Sequence, residues 1–516
     1  MKLIARRHKW LIGALACLAV IALLMVATLV VTPGEAWARP GGGQSFSGSK
    51  SSSRSSGGGG SSGGGSSGGG GELIGFAISL AFNYPAIGIP VLLIVVGFVA
   101  YAWWSQSHAS DWSTAGESQE VEESDQVPRE YVPAARAQLE ELRRYDENFS
   151  LVLFEDFLYS LYAEVHTARG AAKLANVSAY LTPDVVKTLS YQAPSGVSDI
   201  VIGAMTFVRA SGVHSASVYA TVEFESNYTE TYEGKPQSYY MREQWTLSRA
   251  QGVKSRTPDR TRVFGCPSCG APQDQVFGGQ CRYCKQQVAT GKFDWLVTSV
   301  QILEREARAP MLTGTTEEQG TDLPTIADPR APAGLHALTH RDPTQNWNVF
   351  LQRVNVVFGE FQVAWTARDL LRMRALLSDT LFQTQTYWMK AYEKAGLWNV
   401  IERPRITHAE LARVTQDKFY DAITVRLYAT SLDYTIDAQK RVVGGNRNRE
   451  RQYSEYWTFI RGTQRKGPPR TDLGCPNCGA PLKCNMAGAC THCKAKVSTG
   501  DFDWVLSRIE QDEVYS

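Results

Sequence analysis

Cys266-Pro267-Ser268-Cys269-Gly270-Ala271-Pro272 leads to Cys281 and Cys284, with eleven residues between the two CxxC pairs. The arrangement returns 209 residues later as Cys475-Pro476-Asn477-Cys478-Gly479-Ala480-Pro481 with Cys490 and Cys493. Each copy is followed at the same offset by Thr-Gly-x-Phe-Asp-Trp, at Thr290 to Trp295 and Thr499 to Trp504. The chain therefore contains a duplicated unit.

Two cysteines two residues apart can present both sulfurs to one ion, and two such pairs complete a closed tetrathiolate. Structural zinc is the expected occupant, one ion per ribbon, with disulfides or an iron centre as the alternatives. Four thiolates leave no open coordination position, so the expected role is structural rather than catalytic. Gly270 and Gly479 suit a knuckle that turns with positive φ, so that backbone N–H groups point at the sulfurs. Four thiolates and one zinc ion sum to minus two, a charge that Arg282, Lys285, Lys483 and Lys494 can offset. Cys484 and His492 lie inside the second ribbon but off the ligand spacing, and read as bystanders.

The 516 residues allow two to four domains. A net charge of +2 carries no global nucleic-acid signature. Eight of ten cysteines belong to the ribbons, and free thiolates of this kind fit a reducing compartment.

Residues 1–38 open with Lys2, Arg6, Arg7, His8 and Lys9, run apolar from Trp10 to Val31 and end in Ala36-Trp37-Ala38. This reads as a secretory signal with a small-x-small cleavage site, an uncleaved helix being the alternative. Residues 39–72, almost entirely Gly and Ser, read as a disordered tether. Residues 73–104 read as a transmembrane segment, whose uninterrupted part runs from Ala86 to Trp104 and ends in Tyr101, Trp103 and Trp104. Residues 105–138 form an acidic polar linker. The expected topology places everything after Trp104 in the cytoplasm.

The first domain is expected over 139–305, with its ribbon at 266–284. Phe154, Phe157, Leu158, Leu161 and Tyr162 fall on one helical stripe. Thr182 can cap, and Pro183 open, a following short helix. Val218, Ala220, Val222 and Phe224 alternate with polar residues as in a half-buried strand, and Met241 to Arg249 and Phe293 to Ile302 are further strands on either side of the ribbon. Residues 306–346, with five prolines, read as an interdomain linker. The second domain, 347–512 with its ribbon at 475–493, repeats the order: a helix around Phe358, Phe361 and Trp365, a helix over Leu370 to Leu381, and strands at His408 to Val414, Ile423 to Ala429, Tyr453 to Arg461 and Phe502 to Ile509. Glu243-Gln244-Trp245-Thr246 matches Glu455-Tyr456-Trp457-Thr458.

Trp365-Thr366-Ala367-Arg368-Asp369-Leu370 leading to Leu376-Leu377-Ser378, the Glu-x-Trp-Thr strand and the terminal Trp-Leu or Trp-Val strand resemble the Tim forty-four-like domain, over about 145–305 and 347–512. The resemblance implies an α+β fold: two cones of the nuclear-transport-factor-two-like kind, with helices on a curved antiparallel sheet around a pocket. The mitochondrial member of that family tethers the protein-import motor at the inner membrane. Bacterial relatives share an export signal, a Gly/Ser tract and a membrane helix, which implies the plasma membrane of a bacterium. In the first copy Thr167-Ala168-Arg169-Gly170 replaces the Thr-Ala-Arg-Asp of the second.

Phe154, Phe157, Tyr162, Phe358, Phe361 and Trp365 are candidate pocket residues, ordinary core packing being the alternative. Arg256, Arg260, Arg465 and Arg470 are candidate contacts for anionic lipid, solvated loops being the alternative. A further basic loop holds Arg441, Arg447, Arg449 and Arg451. His166, His214, His408 and Asp156 form no recognisable catalytic constellation, so no enzyme is expected. The leading reading is a non-enzymatic, membrane-anchored adaptor binding a protein or lipid partner in protein transport or envelope assembly. A cone that binds or converts a small apolar ligand is the alternative, and a nucleic-acid-binding zinc ribbon the third reading.

Overall fold

The computed structural model describes residues 135–191, 193–313, 321–512 and 514–515. The expected signal, tether and transmembrane segment lie outside these residues, as does all but the end of the acidic linker. Among the described residues no helix is long and apolar enough to cross a membrane. The described chain divides into one compact unit ending at Met311 and another beginning at Leu312.

In the first unit α1 (Ala135–Glu140), α2 (Leu151–Gly170) and α3 (Pro183–Ser190) precede β1 (Gly196–Ser211), β2 (Ser217–Tyr232) and β3 (Lys235–Ala250). The ribbon follows, with the short pair β4 (Val276–Phe277) and β5 (Gln280–Cys281), and then β6 (Leu296–Glu306). The main sheet is antiparallel in the order β1-β2-β3-β6. The ribbon is thus an elaborated connection between two paired strands. Helix α2 starts where Ser150 Oγ accepts from Leu153 N at 3.3 Å, satisfying one of the orphan amides of a helix N-terminus. Its stripe packs on the sheet: Phe154, Phe157, Leu158, Leu161, Tyr162 and Val165 are all buried. Thr182 caps α3 by accepting from Val185 N, with Pro183 in the first turn.

The second unit repeats this plan. Helices α4 (Ala331–Arg341), α5 (Trp347–Ala367), α6 (Leu370–Arg374) and α7 (Asp379–Lys394) precede β7 (Trp398–Gln416) and β8 (Tyr420–Ile436). Strands β9 (Val442–Gly445), β10 (Arg451–Gly462) and β11 (Val505–Gln511) follow. The antiparallel order is β7-β8-β10-β11, with β9 added beside β8.

Three expectations need correcting. First, residues 306–346 are not simply a linker. Strand β6 runs to Glu306, and α4 occupies Ala331–Arg341, with Pro332 in its first turn where a missing N–H costs nothing. Residues before α4 also lie on the sheet: Arg426 donates to Leu323 O at 2.7 Å, and Ile326 N donates to Tyr456 Oη at 2.9 Å. Second, Gly196–Ser211, which the sequence does not mark as a strand, forms β1. Three irregularities, at Ser198/Val201, Ile202/Ala204 and Phe207/Arg209, shift its alternation and erase the period-two signal. Third, Leu370 to Leu381 is two helices. Leu377 leaves the helical path to bridge Leu506, and Ser378 caps α7.

The duplication is tighter in space than in sequence. Phe154 stacks on Trp295 at 4.5 Å between centroids, and Phe350, 196 positions later, meets Trp504 at 5.2 Å. The caps Ser150 and Asn346, and Thr182 and Ser378, keep the same offset. The two Thr-Ala-Arg triplets do not. Arg169 lies inside α2, whereas Arg368 follows α5 with φ 55°, and its counterpart at that offset is Ala172, also at φ 55°. Gly170 therefore answers a local demand rather than replacing Asp369. A Cβ there would lie 2.2 Å from Val197 N.

Candidate metal centres

In the first ribbon, Cys266 N donates to Ala271 O at 2.7 Å and Gly270 N donates to Cys266 O at 2.8 Å. That closes a tight turn with Gly270 at φ 77°. The Ser268 and Cys269 amides then point at the Cys266 sulfur. The second ribbon repeats each feature: Cys475 N to Ala480 O at 2.6 Å, Gly479 N to Cys475 O at 2.9 Å, Gly479 at φ 74°, and the Asn477 and Cys478 amides at the Cys475 sulfur. The second knuckle of each ribbon turns through a residue of positive φ that is not glycine, Lys285 at 63° and Lys494 at 65°.

These turns bring Cys266, Cys269, Cys281 and Cys284 together, and likewise Cys475, Cys478, Cys490 and Cys493, with the ligand atoms of each set within 4.8 Å of one another. Cys266 and Cys284 are 3.8 Å apart at sulfur, as are Cys269 and Cys281, and Cys475 and Cys493. Metal–sulfur bonds of about 2.3 Å in a tetrahedron give an edge of about 3.8 Å. A disulfide needs about 2.05 Å, so the spacing fits an ion held between free thiols. Burial pushes the Cys266 and Cys475 thiols up to about 12. The Gln286 amide holds Cys284 down to about 7, and the Asn477 side chain holds Cys493 down to about 6. An ion binding there displaces protons from the buried members, because the ligand form is the thiolate.

Each ribbon is fastened to its unit. Tyr180 Oη donates to Gly265 O at 2.6 Å, and Gly279 N donates to Ser178 Oγ at 3.3 Å. Arg256 donates to Asp294 at 2.5 Å and to Tyr180 Oη at 2.6 Å. In the second unit Arg374 donates to Met486 O at 3.0 Å and pairs with Asp379. Lys496 Nζ reaches the same Asp379 carboxylate at 2.6 Å. The sequence reading missed this clamp because its members are scattered over more than a hundred residues.

The candidate pocket aromatics are core. Phe154, Phe157, Tyr162, Phe358, Phe361 and Trp365 are each at most 5% exposed. Trp457 takes Phe358 and Phe361 at 5.5 and 5.8 Å, and Trp245 takes Tyr162 at 5.1 Å. Phe154 and Phe157, with Trp295 and Arg256, do edge a recess, but its volume of about 20 Å³ is near that of one water.

Of the candidate lipid contacts, Arg256 is turned inward, half-buried on Asp294, and does not offer its charge to a lipid surface. Its guanidinium lies over the Phe157, Tyr180 and Phe264 rings. Arg465 donates to Phe502 O at 2.7 Å, and Arg470 forms a two-point pair with Asp472 at 2.6 and 2.7 Å. Arg260 is exposed.

His214 and His408 sit at the surface, on Glu141 and Glu410 respectively. Asp156 is half-buried on α2. His166, by contrast, is sealed beside Glu243, Nε2 to Oε2 3.3 Å. Tyr228 donates to Glu243 at 3.2 Å and Trp245 Nε1 at 2.9 Å. Burial alone would raise the Glu243 carboxyl, but His166 and the Trp245 hydrogen bond outweigh it and hold Glu243 down to about 2.

The family model described as the Tim44-like domain matches residues 331–469. The match begins at the first residue of α4 and ends six residues before Cys475, so it spans the helices and three of the main-sheet strands of the second unit and leaves the ribbon outside. It includes α4, which the sequence reading assigned to the linker. No curated protein matches the chain.

Proposed function

We propose that this chain is a membrane-anchored, non-enzymatic adaptor in which two Tim44-like units bind a partner polypeptide at the cytoplasmic membrane face. The observation that carries this reading is the Tim44-like match at 331–469, together with the repeat of its architecture in the first unit. On this reading both units are nuclear-transport-factor-two-like cones, the apolar run at 73–104 is the anchor, and each ribbon holds a zinc ion as a structural staple. Sites of this kind in small peptides are worth about 10–16 kcal/mol of folding free energy. The sealing of His166 and Glu243 from solvent supports a binding role over turnover, because chemistry there lacks a route for substrate.

The surface best suited to a partner lies at one end of the second sheet. Trp398 is paired with Ile436, which is paired with Val442. Trp398, Val442 and Val443 are 41–42% exposed. Arg368 lies over the Trp398 ring at 4.3 Å and Arg447 over Tyr434 at 4.8 Å, and the turn between β8 and β9 exposes Lys440 and Arg441, the latter paired with Asp437 at 2.7 Å. Exposed aromatic and arginine side chains of this kind dominate binding surfaces.

The test is photocrosslinking in cells from positions 398 and 443 of the full-length chain, with captured material identified by mass spectrometry. Capture of membrane or exported polypeptides supports the adaptor reading. Capture of phospholipid or a small metabolite alone overturns it in favour of a ligand-binding module, and capture of nucleic acid in favour of the ribbon reading.

A further inference from the structure

The two ribbons differ at one buried position. In the second, Cys484 lies directly opposite Cys490 in an antiparallel bridge. The hydrogen bonds that define the bridge are made by its neighbours, Thr491 N to Lys483 O at 2.8 Å and Asn485 N to Ala489 O at 2.9 Å. Cys484 and Cys490 are therefore a non-hydrogen-bonded pair, the kind in which facing Cα atoms approach to about 4.5 Å with both side chains on one face. That separation is at the short end of the roughly 4.4–6.8 Å range a disulfide accepts. Both residues are nearly fully buried, and they share one small core group with Ala375, Cys475 and Val497. In the first ribbon the residue opposite Cys281 is Val276, held by the corresponding bond, Arg282 N to Gln275 O at 2.7 Å. A thiol thus faces a metal ligand in one ribbon and an isopropyl group in the other.

We propose that Cys484 and Cys490 form a reversible disulfide under hydroperoxide stress, making the second ribbon a redox-responsive metal site and leaving the first a permanent one. The inference rests on the ribbons holding metal. When the ion exchanges off, the Cys490 thiolate attacks a peroxide oxygen. An S–O bond forms, the O–O bond breaks, and hydroxide leaves. Cys484 then attacks the Cys490 sulfur, the S–S bond forms, and the S–O oxygen departs as water carrying the proton that Cys484 gives up. Cys484 and Cys490 together lose two electrons, and the peroxide is reduced to water. Because Cys490 is one of the four ligands, the disulfide holds the ribbon in its metal-free form until a thiol reductant reverses it. The change is felt beyond the ribbon, since the shared core includes Ala375 and the neighbouring Arg374 is clamped to Met486 O and Asp379.

The experiment treats the metal-loaded, full-length chain with hydrogen peroxide, alkylates the remaining thiols in acid, and sequences the tryptic peptide 484–494 by fragmentation while released zinc is measured with a chromogenic chelator. One of the two ions is expected to be released, with Cys484 linked to Cys490 and Cys493 alkylated. Dithiothreitol with added zinc should restore full occupancy. The variant Cys484→Val places in the second ribbon the residue the first already carries there, and should bring its peroxide resistance to that of the first. Disulfides mapped only among the four ligands overturn the proposal, and that map needs no variant. Equal release from wild type and Cys484→Val also overturns it. Absence of metal before peroxide is added overturns the metal reading instead, and that measurement is separate.

Discussion

Arg249 and Asp146, each 1% exposed, meet at 3.1 Å across 103 residues of chain. In the second unit Arg461 and Asp342 make the same connection at 3.2 Å. Each pair ties the strand before the ribbon to the turn before the long helix. Asp146 also accepts from the Ser255 amide at 2.9 Å, which anchors the loop entering the first ribbon. Removing one partner of a buried pair leaves a charge without compensation, at a cost of about 3–5 kcal/mol. Asp146→Ala should lower the urea midpoint of the first unit accordingly and leave the metal content of the second ribbon unchanged. An unshifted midpoint would show that the pair is dispensable.

Acid should unfold the first unit through Glu243. Its carboxyl is held down to about 2 from an ordinary value of 4.5, so the folded state binds fewer protons than the unfolded one in that interval. The stability this supplies is complete above about pH 4.5 and falls away as the pH drops toward 2. Denaturant titrations at a series of pH values should show this loss, and Glu243→Gln should flatten it.

Two zinc ions per chain should survive purification. Cys266→Ser should remove one and Cys475→Ser the other, read by elemental analysis. Full occupancy in either variant would sink the ligand assignment.

Gly170→Ala should destabilise the first unit although alanine is the better helix former. The new Cβ has to move Val197 N, which lies 2.2 Å from where it would sit. Thermal melting of the variant measures the loss, and a gain in stability would mean that β1 gives way at little cost.

A reporter fused after Ser516 should behave as a cytoplasmic protein. An exported reporter would reverse the proposed topology while leaving the metal centres untouched.

The two cysteine clusters were legible because CxxC spacing is a local property. A CxxC pair and a glycine with positive φ specify a knuckle within five residues, whatever the rest of the chain does. Caps are equally local, and Thr182 with Pro183 announced α3. Strand β1 was hidden because bulges break the alternation on which strand reading depends. Helix α4 was hidden because Pro332 resembles linker composition, although it sits where a helix tolerates it. Matching the Thr-Ala-Arg triplets misled for a different reason. A three-residue identity carries less weight than the caps and the Phe154 and Phe350 positions, which set the correspondence of the helices at 196, while the ribbons and the Trp residues after them correspond at 209.

The sequence by itself determined the duplication, the eight cysteines that cluster in fours and the placing of each ribbon between two strands, because these rest on residue type and spacing along the chain. Only the tertiary structure decided the surroundings of single side chains. It closed the six aromatics into core, turned Arg256 inward onto Asp294, left Trp398 exposed at the end of a sheet, and set Cys484 opposite Cys490. Those outcomes depend on strand register and on which faces meet, and register is fixed by contacts between residues far apart in the chain.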